Sequence, residues 1–105
     1  MTRLPRAAWA ASAVLSLAAP LAGAQDANQA RNLAATCASC HGTNGNSRGE
    51  VKALAGLPAD SIVAAFNAYK AGTLPATIMH QVAKGYTDEQ IKLIAAFLAA
   101  QRPGQ

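Results

Sequence analysis

Two observations indicate that the sequence folds as an all-α domain. Apolar residues recur at helical spacing in three stretches of the chain, and each stretch begins with residue types that favour the start of a helix. No stretch alternates apolar and polar residues at the two-residue period of a half-buried strand. The chain also has no internal repeat, so we expect one helical domain behind a targeting segment.

The N-terminal segment has the organisation of a signal peptide. Arg3 and Arg6 form a positively charged start, and residues 7–21 form a core rich in Ala, Leu and Val. That core is short for a membrane span, and the small residues at 22–24 match a cleavage site. The sequence therefore predicts export and removal of this segment.

Cleavage after Ala24 would divide the chain into a signal peptide, residues 1–24, and one mature domain, residues 25–105. The alternative is an uncleaved membrane anchor, which Pro20 and the short apolar run disfavour. Without Arg3 and Arg6, seven basic side chains face five acidic ones, and they form no basic stripe. We therefore expect no stable membrane span and no nucleic-acid partner.

The first mature helix is predicted from Asp26, a good N-cap residue, to about Ser39, with a stop near Gly42. A polar, turn-rich loop follows at residues 43–47, and residues 48–57 have no regular pattern. The apolar positions of this helix fall at helical spacing: Ala30, Leu33, Ala34 and Cys37.

The second helix is predicted to begin with Pro58 at its first position and Asp60 in its first turn, and to end at Gly72. After a loop that contains Pro75, a short helix is expected from about Thr77 to Lys84. The apolar face of the second helix consists of Ile62, Ala65, Phe66 and Tyr69.

The last helix is predicted from a capping box, in which Thr87 is followed three residues later by Gln90. It should end near Gln101, before Pro103. Its apolar residues repeat at positions i, i+3, i+4 and i+7, and they are Ile91, Ile94, Ala95 and Leu98.

The chemically most specific motif is Cys37-Ala38-Ser39-Cys40-His41, the attachment signature of a c-type haem. Residues at i, i+3 and i+4 share one helical face, so both thiols can reach neighbouring vinyl groups of one porphyrin. The imidazole of His41 then lies beneath the iron as the proximal ligand. One covalent haem would also supply the apolar bulk of a core with only four aromatic residues, Phe66, Tyr69, Tyr86 and Phe97.

Two other interpretations of the cysteine pair remain open from the residues alone. A zinc site would need Cys37, Cys40, His41 and His80 to converge, because the chain has only two cysteines. A dithiol redox pair would leave the histidine directly after Cys40 without a role. Haem attachment explains all three residues of the motif.

A sixth iron ligand is expected from Met79, the only methionine left in the mature chain. It follows a loop stiffened by Pro75, which can reach the haem face opposite His41. The alternatives are the neighbouring His80, which would give a bis-histidine site, or an open iron. Two filled axial positions leave no room for a substrate at the iron, so we expect electron transfer and no catalytic residue.

The whole mature chain resembles a class I cytochrome c: a helix that enters CxxCH, a loop methionine and a closing helix. The resemblance implies that the first and last helices cross, with Phe97 packed against Leu33. Many members have a proline about a dozen residues after the CxxCH histidine, whose carbonyl accepts the imidazole N–H. This chain has Val51-Lys52-Ala53 there instead, and a backbone carbonyl of this stretch can still orient His41.

Several downstream segments resemble the cytochrome subunit of flavocytochrome c sulfide dehydrogenase, and also single-domain carriers of the cytochrome c553 and c4 kind. The segments are Leu54-Ala55-Gly56-Leu57-Pro58, Tyr69-Lys70-Ala71-Gly72, Pro75-Ala76-Thr77-Ile78-Met79-His80 and Ala83-Lys84-Gly85-Tyr86-Thr87-Asp88-Glu89-Gln90-Ile91. With one CxxCH, this chain can supply one haem, whereas some members of that family carry two.

Export and haem attachment both take place on the far side of the inner membrane in bacteria, so we expect a periplasmic protein. The narrower resemblance implies a partner, an FAD flavoprotein subunit that oxidises sulfide and passes on single electrons. Docking is then expected on the small, uncharged residues Ala38 and Ser39 and on residues 75–78. The alternatives are a free carrier that serves a terminal oxidase or reductase, and a haem sensor or peroxidase-like enzyme with a labile sixth ligand. A third alternative is a thiol oxidoreductase that contains no haem and uses Cys37 and Cys40.

Overall fold

The computed structural model describes the backbone of residues 22–105 and the side chains from residue 27 onward. Every regular element in this part of the chain is helical, which confirms the predicted all-α class. The predicted signal peptide lies outside the described residues, apart from its last three positions. The elements are α1 (Ala22–Ala35), α2 (Ala38–His41), a 3-10 turn (Thr43–Gly45), α3 (Ala59–Ala71), α4 (Met79–Lys84) and α5 (Asp88–Ala99).

The first helix differs from the prediction at both ends. It already includes residues 22–25, which lie ahead of the predicted start at Asp26. It also ends at Ala35, so the predicted continuous helix to Ser39 is wrong. The N–H of Cys37 bonds to the carbonyl of Ala34, only three residues back, and this tighter turn separates α1 from α2.

The other helix ends lie close to the predicted ones. Pro58 is the N-cap of α3 rather than its first residue, and Gly72 ends α3 in the left-handed conformation at φ 75°. The fourth helix begins at Met79, two residues later than predicted. The capping box of α5 is confirmed: Thr87 Oγ1 accepts from the Gln90 N–H at 3.1 Å, and Gln90 Oε1 accepts from the Thr87 N–H at 2.9 Å.

The core lies where α5 packs against α1 and α3, and α4 covers another part of α3. The predicted apolar face of α5 is buried in full, and three of its side chains are completely enclosed: Ile91, Ile94 and Leu98. Burying each contributes about 1.5–3 kcal/mol to the free energy of unfolding. Ile62 and Phe66 supply the buried face of α3, as predicted. Leu33 and Phe97 both pack, half-buried, against this core.

None of the helices described for residues 22–105 combines the length and the apolar character needed to cross a membrane. Two loops flank the predicted iron ligands. We call residues 42–55 the proximal loop, because it follows His41, and residues 72–78 the distal loop, because it precedes Met79.

Candidate haem site

The two cysteines of the CxxCH motif lie on one helical turn but differ in environment. Cys37 is half-buried and packs against the core, whereas Cys40 is exposed, and both are free thiols. Burial raises the pKa of the Cys37 thiol, and a hydrogen bond with Thr36 offsets part of that shift. One thiol is therefore held by the core, and the other is open to an incoming cofactor.

The imidazole of His41 is oriented by the backbone of the proximal loop. Its Nδ1 lies 2.6 Å from the carbonyl oxygen of Lys52. A carbonyl can only accept, so Nδ1 carries the hydrogen of the neutral ring, and Nε2 keeps its lone pair for a metal. The expectation of a carbonyl from Val51-Lys52-Ala53 is thus met by Lys52, which the sequence alone did not single out.

The proximal loop folds back tightly to bring this carbonyl to His41. The carbonyl of Gly45 accepts two hydrogen bonds, from the N–H of Leu54 at 2.8 Å and from that of Ala55 at 3.1 Å. The turn after His41 depends on Gly42, whose φ is +82°. A Cβ at Gly42 would lie 2.2 Å from the carbonyl oxygen of Asn46, so only glycine fits there.

Met79, the proposed distal ligand, is the first residue of α4 and is half-buried. It packs against the same buried core as Cys37. The neighbouring His80 is also half-buried, and its Nδ1 is buried without a hydrogen-bond partner among the described residues. The fold therefore brings the cysteine turn and α4 onto one core.

The zinc alternative finds no support in residues 22–105. No group of three or more His, Cys, Asp or Glu side chains in this part of the chain is arranged to hold a metal ion. The structure therefore does not bring together the four side chains that a zinc site would need, Cys37, Cys40, His41 and His80.

The donors and the apolar surface together fit a haem. The chain presents two free thiols, an imidazole with Nε2 available and a thioether. Four large apolar side chains stand exposed in the described chain: Val51 (43%), Leu74 (38%), Ile78 (59%) and Val82 (37%). All four lie in the segments around Lys52 and Met79, where a porphyrin would cover apolar surface.

Comparison with known proteins agrees with this site. Residues 27–101 match the family described as Cytochrome c, and the chain belongs to that family. It is a class I c-type cytochrome that carries one covalently bound haem c and functions in electron transfer.

Three curated relatives narrow the comparison. The chain is 42% identical over 65 residues to the cytochrome subunit of sulfide dehydrogenase from Chlorobaculum tepidum, an alignment that covers 62% of this chain and 59% of that subunit. It is 38% identical over 72 residues to cytochrome c-553 from Desulfomicrobium norvegicum, covering 66% of this chain and 90% of the relative. It is 36% identical over 64 residues to cytochrome c-552 from Acidithiobacillus ferridurans, covering 61% and 28%.

The chain thus spans less than two thirds of the length of the Chlorobaculum subunit and less than a third of cytochrome c-552. It spans nearly the whole of cytochrome c-553.

One contact of the cysteine turn was not evident from the sequence. The hydroxyl groups of Thr36 and Tyr86 lie 2.6 Å apart and form a hydrogen bond. The Tyr86 ring also meets Phe66 edge to face, with ring centroids 6.1 Å apart. This contact ties the residue before Cys37 to the turn before α5, and no spacing rule links positions 50 residues apart.

Proposed function

We propose that Cys37 and Cys40 form the thioether bonds to the haem and that His41 Nε2 and the Met79 sulfur are its axial ligands. The observation that carries this proposal is the hydrogen bond between His41 Nδ1 and the Lys52 carbonyl, which leaves Nε2 free for iron. When bound, haem c supplies a centre that gains and loses one electron.

The protein groups around the iron would set the reduction potential of the haem. The hydrogen bond to the Lys52 carbonyl would increase electron donation from His41 to iron, which favours the ferric state, and the Met79 thioether would favour the ferrous state. With both axial positions filled, no substrate can bind at the iron. The protein then transfers single electrons and has no catalytic residue of its own.

The ligand assignment is tested by the visible spectrum of the exported protein together with two variants. The wild type should show a reduced c-type α-band and, when oxidised, the weak far-red band of sulfur bound to iron. Met79→Ala should lose the far-red band and bind carbon monoxide in the ferrous form, because its sixth position is open. His80→Ala, the matched control one residue away, should retain the band and bind no carbon monoxide.

Other spectral outcomes separate the competing functions. A haem spectrum without the far-red band, and with carbon monoxide binding by the wild type, would favour the sensor or peroxidase-like function. Loss of the native spectrum in His80→Ala but not in Met79→Ala would transfer the ligand role to His80. A protein without haem absorbance would support the thiol oxidoreductase.

We also propose that the protein works in the periplasm after cleavage behind Ala24. Residues 1–24 have the charge and apolar pattern of a signal peptide, and thioether-bound haem suits an exported protein. The intact mass of the exported protein should equal residues 25–105 plus one haem. A mass that retains residues 1–24 would instead support a membrane anchor.

The partner that we propose is an FAD flavoprotein that delivers electrons one at a time. The support is the 42% identity to a protein named as the cytochrome subunit of sulfide dehydrogenase. Sulfur chemistry would then take place on the other polypeptide. The surface that we propose for docking consists of Ala38, Ser39 and residues 75–78, which carry no charge and are exposed apart from the half-buried Ala38.

A charge placed on this surface tests the docking proposal. Ala76→Glu should slow electron transfer from a sulfide-oxidising flavoprotein, because docking would desolvate an unpaired carboxylate, and it should leave the haem spectrum unchanged. Ala96→Glu, which adds the same charge at an exposed position of α5, should leave the rate unchanged. Equal rates for both variants would overturn this docking surface.

A free electron carrier is the second candidate function. It is favoured by the match to cytochrome c-553, because the alignment covers 90% of the length of that protein. A free carrier should elute as a monomer in the presence of the flavoprotein and should still be oxidised by a terminal oxidase or reductase. Co-elution as a stable complex would instead favour the subunit role.

A further inference from the structure

The side chain of Asn46 joins the proximal loop to the C-terminal tail. Its Nδ2 donates to the carbonyl of Arg102 at 3.1 Å, and its Oδ1 accepts from the N–H of Gly104 at 2.7 Å and from that of Gln105 at 3.4 Å. One amide thus satisfies three backbone groups that lie 56 to 59 residues further along the chain.

The residue that follows the proximal loop, Gly56, is attached to the end of α5 and to the C-terminal tail. The N–H of Gly56 donates to the carbonyl of Leu98 at 3.0 Å, at the end of α5. Gly56 also lies against Pro103, since a Cβ at Gly56 would be 2.8 Å from Pro103 Cγ. Both ends of the loop are therefore held by α5 and the residues that follow it.

Lys52 lies between these two attachments and has no anchor of its own. It and its neighbours Val51 and Ala53 are exposed. The only hydrogen bond of the Lys52 carbonyl in the described chain is the one to His41. The position of this carbonyl is therefore set by how the ends of the loop are held.

We propose that Asn46 is a positioning residue for His41. By clamping the tail, residues 102–105, to the proximal loop, it keeps the loop closed and the Lys52 carbonyl directed at His41 Nδ1. Through this carbonyl it orients the imidazole and sets the reduction potential of the iron. This inference rests on the proposed ligation of iron by His41.

The direction of the effect follows from the hydrogen bond. A carbonyl that accepts the Nδ1–H increases electron donation from Nε2 to iron, which stabilises the ferric state and lowers the reduction potential. A looser loop weakens this bond, so the potential should rise. The N–H groups of Leu54 and Ala55, which bond to Gly45, should then exchange with solvent faster.

The test compares the haem-loaded wild type with Asn46→Ala, which removes all three bonds to the tail. The midpoint potential should shift to a more positive value, and amide exchange at Leu54 and Ala55 should accelerate by about tenfold or more, as expected for a loss of hydrogen bonds that hold the loop. The far-red band should remain, because Met79 is untouched.

Two further variants make the result specific. Ser47→Ala removes a bond inside the same loop, in which Ser47 Oγ accepts from the Gly49 N–H, and should leave both quantities at the wild-type value. Asn46→Asp retains acceptors for Gly104 and Gln105 but loses the donor to Arg102, so it should give an intermediate change. It also provides a stable reference if Asn46→Ala yields little folded protein.

Wild-type potential and exchange rates in both Asn46 variants would overturn the proposal, as would an equal shift in Ser47→Ala. Failure of the underlying ligation would appear separately. In that case the wild-type spectrum itself would lack the signs of histidine-bound haem c before any variant is compared.

Discussion

The proximal and distal loops both lead to a predicted iron ligand, yet they are built in different ways. The proximal loop is closed by two hydrogen bonds to Gly45, clamped through Asn46 and bonded to His41 through Lys52. In the distal loop, residues 72–78 are all exposed, and no hydrogen bond found within the described chain involves residues 74–77. The proximal loop is thus fixed by hydrogen bonds to the rest of the chain, whereas the distal loop makes few such bonds.

This difference indicates how the two ligands are supplied. The chain orients His41 by itself, so the imidazole is ready for iron before the cofactor arrives. Under the proposed ligation, the haem would cover the exposed Leu74 and Ile78 and hold Met79 at the iron, and the distal loop would depend on these contacts. The distal loop is therefore expected to lose its structure before the rest of the site when denaturant is added.

Two glycines with similar φ but different ψ offer the largest test of this contrast. Gly42 and Gly72 have φ values of +82° and +75°. At Gly72, where ψ is 13°, a left-handed alanine costs about 1–2 kcal/mol, whereas the ψ of 160° at Gly42 belongs to a conformation that is essentially restricted to glycine. At Gly42 the new Cβ would also meet the Asn46 carbonyl at 2.2 Å, whereas nothing lies within 4 Å at Gly72. Gly42→Ala should therefore yield little haem-loaded protein, and Gly72→Ala should lower the free energy of unfolding by only that strain.

The two variants are compared by their yield of haem-loaded protein and by chemical unfolding of the purified protein. Similar losses for the two variants would contradict the view that the proximal loop is the crowded one. A larger loss at Gly72 would reverse it.

A second prediction concerns the order in which the site comes apart in guanidinium. The far-red sulfur-to-iron band should disappear at a lower denaturant concentration than the helical circular dichroism, because the distal loop has few contacts that oppose opening. Reduced and oxidised protein should both retain the haem, which is bound covalently. Coincident transitions would show that Met79 is held as firmly as the core, and the contrast between the loops would then fail.

The smallest expected effect is at the hydrogen bond between Thr36 and Tyr86, which braces the cysteine side. Tyr86→Phe removes it and keeps the edge contact with Phe66, so the free energy of unfolding should fall by about 1 kcal/mol. The far-red band should stay unchanged. In a double-mutant cycle with Thr36→Val, the two losses should be less than additive, because both variants remove this bond, although Thr36→Val also removes the bond that Thr36 Oγ1 donates to the Leu33 carbonyl. Fully additive losses would show that the two hydroxyl groups are not coupled.

Much of the fold could be predicted because its signals are local. The capping box at Thr87, the left-handed Gly72 and the apolar spacing of α5 each involve residues only a few positions apart. The break between α1 and α2 could not be predicted in this way. It depends on the turn at Cys37, and helix-forming residues continue on both sides of it.

The site was predictable to a similar extent. Cysteine and histidine types at a fixed spacing identify a haem attachment motif. The Lys52 carbonyl has no signature in the sequence, because every residue carries a backbone carbonyl. The partners of Asn46 lie 56 to 59 residues away, and only the folded chain brings them together. The sequence therefore indicates the ligands more clearly than what orients them.

The short span of the contact between His41 and Lys52 has a consequence for folding. This contact closes over 11 residues, whereas the one between Thr36 and Tyr86 closes over 50. Loop-closure entropy grows with the logarithm of length, so the shorter closure costs about 1 kcal/mol less. Contacts of low sequence separation also form faster. A nascent chain can thus form this contact once residues up to Ala55 are accessible, and the tail that carries the partners of Asn46 fixes it only after α5 has formed.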